Sequence, residues 1–242
     1  MTERLSIVMP AWNEEAMIAS LLDTLEHELG GRFESAEIVV VDDASTDRTA
    51  EVLAELARSS GRLRVLRGER NLGHGPSVLR GLRAATGEWI FQLDSDGQFV
   101  IAEFWDLWAR HEEADLVLGV RVDRKDPRHR LLLSRVVAAV VSLLAGRRLR
   151  DPNVPFRLFR RALLDDIESL LAEDALAPSI LMTLAAAVRG WQIVEVPVSH
   201  LANERRASHL HSGQIIRFSL RGLRELLRFR LALAHAPARA EA

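Results

Sequence analysis

The chain has 242 residues, of which 48% are hydrophobic and 27% are charged, a composition that excludes a mainly disordered or collagen-like protein. Its 34 acidic and 32 basic residues give a formal net charge of -2, so no overall basic field indicates binding to nucleic acid. With 0 cysteines, disulfides and thiolate metal sites are excluded, and any metal must bind oxygen or histidine ligands.

Apolar strands and helical segments alternate along the first half of the chain. Strands are predicted at 5–9, 38–41, 63–66, 89–93 and 116–120. Helices are predicted at 16–29, after Ser45 through Leu56, after Gly75 to Ala85, and at 104–110. Continuous apolar strands that alternate with helices are typical of a sheet covered on both faces. We therefore predict an α/β fold with a Rossmann-like, mainly parallel sheet flanked by helices.

The alternation stops after Val122, where a charged, proline-containing loop is predicted at 123–130. The second half then carries a helix at 131–145, a strand at 156–159, two more helices and a strand at 192–198. From Gly213 to His235, a leucine stripe lies beside an arginine stripe at helical spacing. We predict one domain over 1–212, with halves at 1–122 and 123–212, followed by a basic amphipathic helix and tail at 213–242.

Neither a signal peptide nor a membrane span is evident in the pattern of apolar residues. The N-terminus runs directly into a strand-like segment, without a basic region followed by an apolar one. The longest apolar stretch, 131–146, is interrupted by polar residues and is shorter than the ~20 residues that a spanning helix needs. We expect a cytoplasmic protein.

Polar clusters follow four of the predicted strands at the point where each strand ends. They are Pro10 to Glu14, Asp42-Asp43, Arg70-Asn71 and Asp94 to Gln98. In parallel α/β sheets, ligands bind beyond the carboxyl ends of the strands, so these clusters are expected to converge on one crevice.

Asp94 and Asp96 flank one residue at the end of an apolar strand, and both can reach a hard divalent cation that also binds diphosphate oxygens. Gln98 offers a third oxygen nearby. The alternative is a solvated turn. Asp43 is a candidate for accepting hydrogen bonds from a nucleobase or ribose, because an ionised carboxylate only accepts. The alternative for Asp42 or Asp43 is to cap the following helix.

Other nucleotide and metal motifs do not fit. A dinucleotide fingerprint needs glycines after the first strand, where this chain has PAWN. No P-loop sequence and no His-Glu-x-x-His pair is present.

The motifs PAWNEE from Pro10, VVVDDASTD from Val39, RNLGHG from Arg70 and QLDSDGQF from Gln92 resemble the inverting GT-A glycosyltransferases of family two. The most similar branch is the dolichyl-phosphate mannosyltransferase group, which transfers sugars to polyprenyl phosphates. The resemblance implies a GT-A fold, a UDP- or GDP-sugar donor and Mn or Mg as the cation. It also implies that 1–122 is the donor half and 123–212 the acceptor half.

The resemblance implies roles for individual residues. The nucleotide-sugar would be held by Pro10, Ala11, Trp12, Glu14, Asp42, Asp43, Asn71, Gly75, Asp94, Ser95 and Asp96. The metal would be held by Asp94, Asp96 and Gln98. The acceptor or its phosphate would be held by Arg130, Arg205, Arg206 and Ser208. The segment around Arg205 matches the family pattern only loosely, and Trp12 replaces the usual tyrosine.

The acceptor is left open between two classes. A polyprenyl (dolichyl or undecaprenyl) phosphate is already anionic and needs no general base, whereas a hydroxyl acceptor does. For a hydroxyl, the candidate bases are Asp151, Glu173 and Asp174. The lipid phosphate is preferred, in which case the last helix is expected to contact the inner face of the membrane. A non-catalytic nucleotide-sugar-binding protein is the second alternative.

Overall fold

The computed structural model of the chain describes residues 1–124, 126–201 and 212–237, without the side chains of residues 128 and 212–218. The strands are β1 (Arg4–Ala11), β2 (Ser35–Asp42), β3 (Leu63–Arg67), β4 (Trp89–Gln92), β5 (Leu116–Val122), β6 (Arg157–Arg160) and β7 (Ile193–Ser199). The helices are α1 (Ile18–Leu25), α2 (Thr49–Ser59), α3 (His74–Ala84), α4 (Phe104–Trp108), α5 (Arg128–Ala145), α6 (Arg161–Ile167), α7 (Pro178–Val188) and α8 (Ser212–His235).

These seven strands form one sheet in the order β3-β2-β1-β4-β6-β5-β7. Strand β6 runs antiparallel to both neighbours, and the other pairings are parallel. The predicted mainly parallel α/β sheet with flanking helices is confirmed. Because β6 from the second half lies between two strands of the first half, the two halves share one sheet.

The central strand β1 is buried on both faces, which explains its continuous apolar sequence. Aromatic rings from β4, from α4 and from the residue before β6 complete the core. Phe91 packs edge-to-face against Phe104 and Phe156, with ring centroids 4.9 and 4.8 Å apart. This rigid centre fixes the position of the strand ends that carry the polar clusters.

Several helix boundaries differ from the prediction by a few residues, and two of the differences have a clear physical cause. Helix α1 begins at Ile18 rather than at 16, because the carbonyl of Glu14 accepts the N–H groups of Met17 and Ile18 and closes a turn first. Helix α5 begins at Arg128, inside the predicted loop. Pro127 immediately precedes it, and a proline at a helix start sacrifices no intrahelical hydrogen bond.

Helices α5 and α8 expose apolar side chains. Leu132, Val136 and Leu143 are exposed on α5, and Leu143 is 82% accessible. On α8 the exposed apolar residues are Leu220, Leu223, Leu227 and Leu231. Within the described residues, no helix combines the length and apolarity needed to cross a membrane.

Glu37 lies near the start of β2, away from the carboxyl ends of the strands. Its contacts contribute to stability by an amount that depends on pH. Burial alone would raise its pKa, but hydrogen bonds from Ser6 and Thr86 and the charge of Arg64 outweigh burial and lower it. A lowered pKa stabilises the fold above the unfolded-state pKa, and this contribution is lost as the pH falls through the folded-state pKa.

We therefore expect Glu37→Gln to lower the melting temperature at pH 7 by about 2 °C and to have little effect near pH 3. Thermal unfolding at both pH values measures this difference. The matched control is Glu55→Gln on the exposed surface of α2. An equal effect of Glu37→Gln at both pH values would contradict the assignment.

Candidate active site

The carboxyl ends of β1, β2, β3 and β4 border an open cleft of about 230 Å³. Adjacency of these four strands explains why segments distant in sequence meet there. The lining residues are Pro10, Ala11, Trp12, Asp43, Asn71, Gly73, His74, Ser77, Asp94, Ser95 and Asp96. The cleft thus brings together residues from each of the four polar clusters, although the predicted metal ligand Gln98 does not line it. Three other predicted donor-binding residues, Glu14, Asp42 and Gly75, are not among those that line it.

The two adjacent aspartates at the end of β2 have different environments. Asp43 is 5% exposed, and its carboxylate accepts the N–H groups of Leu72 (2.9 Å) and Gly73 (2.8 Å). Each carboxylate oxygen keeps a second lone pair that can accept from a ligand. Asp42 is fully buried and accepts the N–H of Ser45 (3.0 Å). Asp42 therefore shapes the turn after β2, whereas Asp43 faces the cleft.

One side of the cleft is formed by the segment after β1. The Trp12 side chain is 48% exposed, so its indole face is accessible for stacking on a flat ligand. Asn13 has a positive φ of 56°, and its side-chain oxygen accepts the N–H of Thr46 (2.8 Å). This bond joins the loop after β1 to the loop after β2 and holds Trp12 near Asp43.

The opposite side carries the Asp94-Ser95-Asp96 triplet. Asp94 Oδ1 lies 2.8 Å from His74 Nε2, and Asp96 Oδ1 accepts the N–H of Gln98 (3.2 Å). The Gln98 side chain donates to the carbonyl of Leu201 (2.9 Å). Within the described ranges, no cluster of three or more His, Cys, Asp or Glu side chains is arranged to bind a metal ion without help from a ligand. Asp94 and Asp96 line the cleft, and two carboxylates fit a hard cation that takes further oxygens from a diphosphate, whereas Gln98 is not among the lining residues.

His74 and Ser77 line the cleft, although the sequence did not single them out as site residues. Both lie on the first turn of α3, directly after Gly73. Gly73 has a φ of +95°, which a residue with a Cβ adopts only at a steric cost. The sequence signal for these two positions is a glycine between a predicted strand and the helix that follows it.

Gly75 allows helix α3 to pack closely against a neighbouring backbone segment. A Cβ at this position would lie 2.1 Å from the carbonyl oxygen of Ala175 and 2.6 Å from that of Leu176. The glycine therefore lets α3 approach the segment before α7 closely.

We expect Gly75→Ala to destabilise the protein by about 1–3 kcal/mol, because backbone atoms must move to admit the methyl group. Urea unfolding measures the loss. Gly31→Ala is the matched control, since an added Cβ there meets nothing within 4 Å. Equal stabilities of the two variants would contradict the close approach.

Outside the lining of the cleft, Asp151 forms a two-bond ion pair with Arg121, with Nε–Oδ2 and Nη2–Oδ1 distances of 2.7 and 2.9 Å. Burial alone would lower the pKa of Arg121, but the Asp151 carboxylate outweighs burial and raises it. The charge of Asp94 acts in the same direction, so this ion pair lies within electrostatic range of the acidic triplet. Arg121 was not predicted from the sequence.

Arg157 holds the segment that carries Asp151. Its guanidinium is fully buried and donates to the carbonyls of Val154 (2.7 Å), Ser179 (2.7 Å) and Pro152 (3.1 Å). Burial lowers the pKa of Arg157 to about 9. The predicted acceptor residue Arg130 is half-exposed, 3.9 Å from Asp126. Arg205, Arg206 and Ser208 lie outside the described residues.

Comparison with known proteins identifies the family. The model of the family "Glycosyl transferase family 2" matches residues 6–167. An undecaprenyl-phosphate 4-deoxy-4-formamido-L-arabinose transferase from Klebsiella pneumoniae is 28% identical over 205 residues, which cover 84% of this chain and 61% of that protein. The enzyme of the same name from Pseudomonas aeruginosa is 35% identical over 172 residues, covering 69% of this chain and 49% of that protein. The chain therefore spans about 61% of the length of the first of these relatives.

Solved structures share the fold. Mycobacterium tuberculosis glucosyl-3-phosphoglycerate synthase superposes with a TM-score of 0.68 at 23% identity, covering 94% of this chain and 80% of that one. S. aureus TarS gives 0.60 at 24% identity, covering 93% and 65%. Together, the family match over residues 6–167, the sheet order and the acidic cleft show that the chain belongs to glycosyltransferase family 2.

Proposed function

We propose that this protein transfers a sugar, with inversion, from a UDP- or GDP-sugar to a polyprenyl phosphate, at the inner face of a membrane. The observation that carries the proposal is the single cleft in which Asp43 lies with the Asp94-Ser95-Asp96 triplet. Such a cleft offers one carboxylate to a nucleoside and two to a metal-bound diphosphate.

On the donor side, Trp12 stacks on the base and Asp43 accepts its N–H groups, while Pro10, Ala11 and Asn71 complete the wall. Asp94 and Asp96, with the amide oxygen of Gln98, hold Mn or Mg. When bound, such a cation stabilises the negative charge that develops on the leaving diphosphate. The M. tuberculosis synthase has been crystallised with Mn2+ and UDP, which supports this choice of ligands.

On the acceptor side, the lining of the cleft favours an acceptor that needs no general base. Its carboxylates are Asp43, which binds two backbone N–H groups, and the metal-binding pair Asp94 and Asp96. Asp151 is paired with Arg121, and neither it nor Glu173 lines the cleft. A phosphate acceptor is already ionised at neutral pH. The relatives named as undecaprenyl-phosphate sugar transferases support the same choice.

The acceptor phosphate is assigned to basic residues of the second half. Arg130 presents a half-exposed guanidinium beside Asp126, and guanidinium groups bind phosphates through paired hydrogen bonds. Arg205, Arg206 and Ser208 are proposed to complete this site on the resemblance alone.

The proposal is tested by release of UDP or GDP from a panel of UDP- and GDP-sugars, with Mn2+ or Mg2+ and with undecaprenyl phosphate, dolichyl phosphate or soluble alcohols as acceptors. We expect metal-dependent release that a polyprenyl phosphate stimulates. Glycosylation of alcohols alone would reject the lipid acceptor in favour of a hydroxyl. If the protein binds a nucleotide-sugar but shows no turnover with any acceptor or metal, it is a non-catalytic nucleotide-sugar-binding protein.

The exposed faces of α5 and α8 suit contact with an anionic membrane. Arg224 and Arg228 are exposed on α8 beside its exposed leucines, and Leu143 is exposed on α5. Leucines bury in the interfacial region while arginines pair with lipid headgroups, at about 1 kcal/mol per charge.

We expect the double variant Arg224→Glu, Arg228→Glu to bind vesicles containing phosphatidylglycerol at least about tenfold more weakly. Vesicle co-sedimentation measures this. Arg58→Glu, on the exposed surface of α2, is the control. Unchanged binding by the double variant, or equal binding of the native protein to phosphatidylcholine alone, would contradict this orientation.

A further inference from the structure

The end of β7 is hydrogen-bonded to the segment that follows the acidic triplet. The backbone carbonyl of Gln98 accepts the N–H of Leu201 (2.8 Å), and the side-chain Nε2 of Gln98 donates to the carbonyl of Leu201 (2.9 Å). Two residues before Leu201, the N–H of Ser199 is donated to the carboxylate of Glu103 (2.8 Å). These three bonds hold the chain at the end of β7 on the segment 98–103.

The same glutamine is fixed to the acidic triplet. Its backbone N–H is donated to Asp96 Oδ1 (3.2 Å), and Gly97, between the two residues, has a φ of +70°. This positive φ suits a glycine, and it turns the chain so that an aspartate oxygen meets the amide two residues further on. Gln98 therefore bonds to a proposed metal ligand through its amide N–H and to Leu201 through its carbonyl and its side chain.

His200 continues this connection toward the acceptor half. Its side chain is 6% exposed, and its ring packs edge-to-face on that of Phe99, with centroids 5.4 Å apart. The Nδ1 atom of His200 lies 3.9 Å from Asp126, and Asp126 in turn lies 3.9 Å from Arg130. The residue beside Leu201 thus contacts the carboxylate that borders the proposed acceptor arginine.

We propose that Gln98 is a positioning residue, which couples the metal-binding Asp96 to the end of β7 and so to the placement of the acceptor. This role rests on the proposed function and goes beyond the metal-ligand role of the amide oxygen, because it belongs to Nε2 and to the backbone. Displacement is fast only when the attacking oxygen is held close to the anomeric carbon and in line with the leaving group. A bonded link between the donor and acceptor sides supplies that constraint.

The rival role for Gln98 is metal ligation alone. Gln98 does not line the cleft, whereas its Nε2 already bonds to Leu201, and both observations favour positioning. Gln98→Glu separates the two roles, because the new carboxylate offers an oxygen to a cation but has no N–H to donate to Leu201.

The first test is steady-state transfer by the full chain from the UDP- or GDP-sugar that supports turnover. We expect Gln98→Glu to raise the KM of the polyprenyl phosphate about fivefold to tenfold, through the lost hydrogen bond and repulsion of the Leu201 carbonyl. The Mn2+ concentration for half-maximal binding of UDP or GDP is not expected to rise. Gln192→Glu is the control, since it makes the same charge change at an exposed residue directly before β7. Thermal unfolding verifies the fold of each variant.

The second test is hydrogen exchange of the backbone amides of 199–201, which needs no acceptor. In the native protein and in Gln192→Glu, Mn2+ with UDP or GDP is expected to slow exchange of the Leu201 amide, because the cation fixes Asp96 and through it Gln98. In Gln98→Glu this added protection is expected to be lost, although the nucleotide still binds.

An unchanged acceptor KM in Gln98→Glu, together with the same added protection as in the native protein, would overturn the coupling while transfer itself remains normal. If the native protein transfers sugar to no polyprenyl phosphate, the proposed acceptor is wrong, and the exchange comparison still decides whether Gln98 links Asp96 to β7. If the native protein binds neither UDP nor GDP, the proposed function and the coupling both fail.

Discussion

Replacing Asp96 by alanine is expected to lower metal-dependent consumption of the donor sugar by about a hundredfold to a thousandfold. Asp96 is one of the two carboxylates proposed to hold the cation, and loss of a group that stabilises a developing negative charge typically costs this much in rate. The measurement is release of UDP or GDP as a function of Mn2+ or Mg2+ concentration.

Two further variants separate catalysis from folding. Asp96→Asn retains an oxygen that can accept the N–H of Gln98, so it preserves the local turn while removing the charge. Asp106→Ala changes an exposed aspartate of α4 and is expected to be fully active. Normal turnover by Asp96→Asn and Asp96→Ala would reject the metal assignment.

The Arg121–Asp151 pair is expected to give the largest effect on stability. Both side chains are largely buried, at 13% and 9% exposure, so Asp151→Ala leaves a guanidinium without its counter-charge. Removing one partner of a buried pair costs about 3–5 kcal/mol, whereas an exposed pair contributes about 0–1 kcal/mol. Urea unfolding of Asp151→Ala is the measurement.

Glu51→Ala provides the comparison, because it breaks the exposed Arg48–Glu51 pair. In the double variant Arg121→Met, Asp151→Leu, part of the stability is expected to return, since neither member of the pair is left without the other. Equal, small losses for Asp151→Ala and Glu51→Ala would contradict a structural role. In that case Asp151 would again be a candidate base for a hydroxyl acceptor.

Much of the donor side could be predicted because its information is local. An apolar strand followed at once by polar residues is readable from the sequence, and the parallel sheet brings those ends together. Trp12, Asp43 and Asp94 were identified in this way, and the structure places all of them on one cleft. Their contacts with a ligand remain predictions. Glu14, Asp42 and Gly75 belong to the same motifs, and only the three-dimensional structure separates them from the lining residues.

The sequence by itself determined the fold class, the strand ends and the acidic triplet, because buried parallel strands require continuous apolar runs and a hard cation requires oxygen ligands. Only the tertiary structure decided that Asp43 rather than Asp42 faces the cleft. Successive side chains of a strand point to opposite faces, so a difference of one residue in where the strand ends changes which aspartate faces the cleft. Only the tertiary structure shows that Arg121 and Asp151, which are 30 residues apart in sequence, form an ion pair. It also placed Ser77 in the lining of the same cleft as Asp94 and Asp96, because the packing of α3 against the sheet, and not local sequence, sets that position.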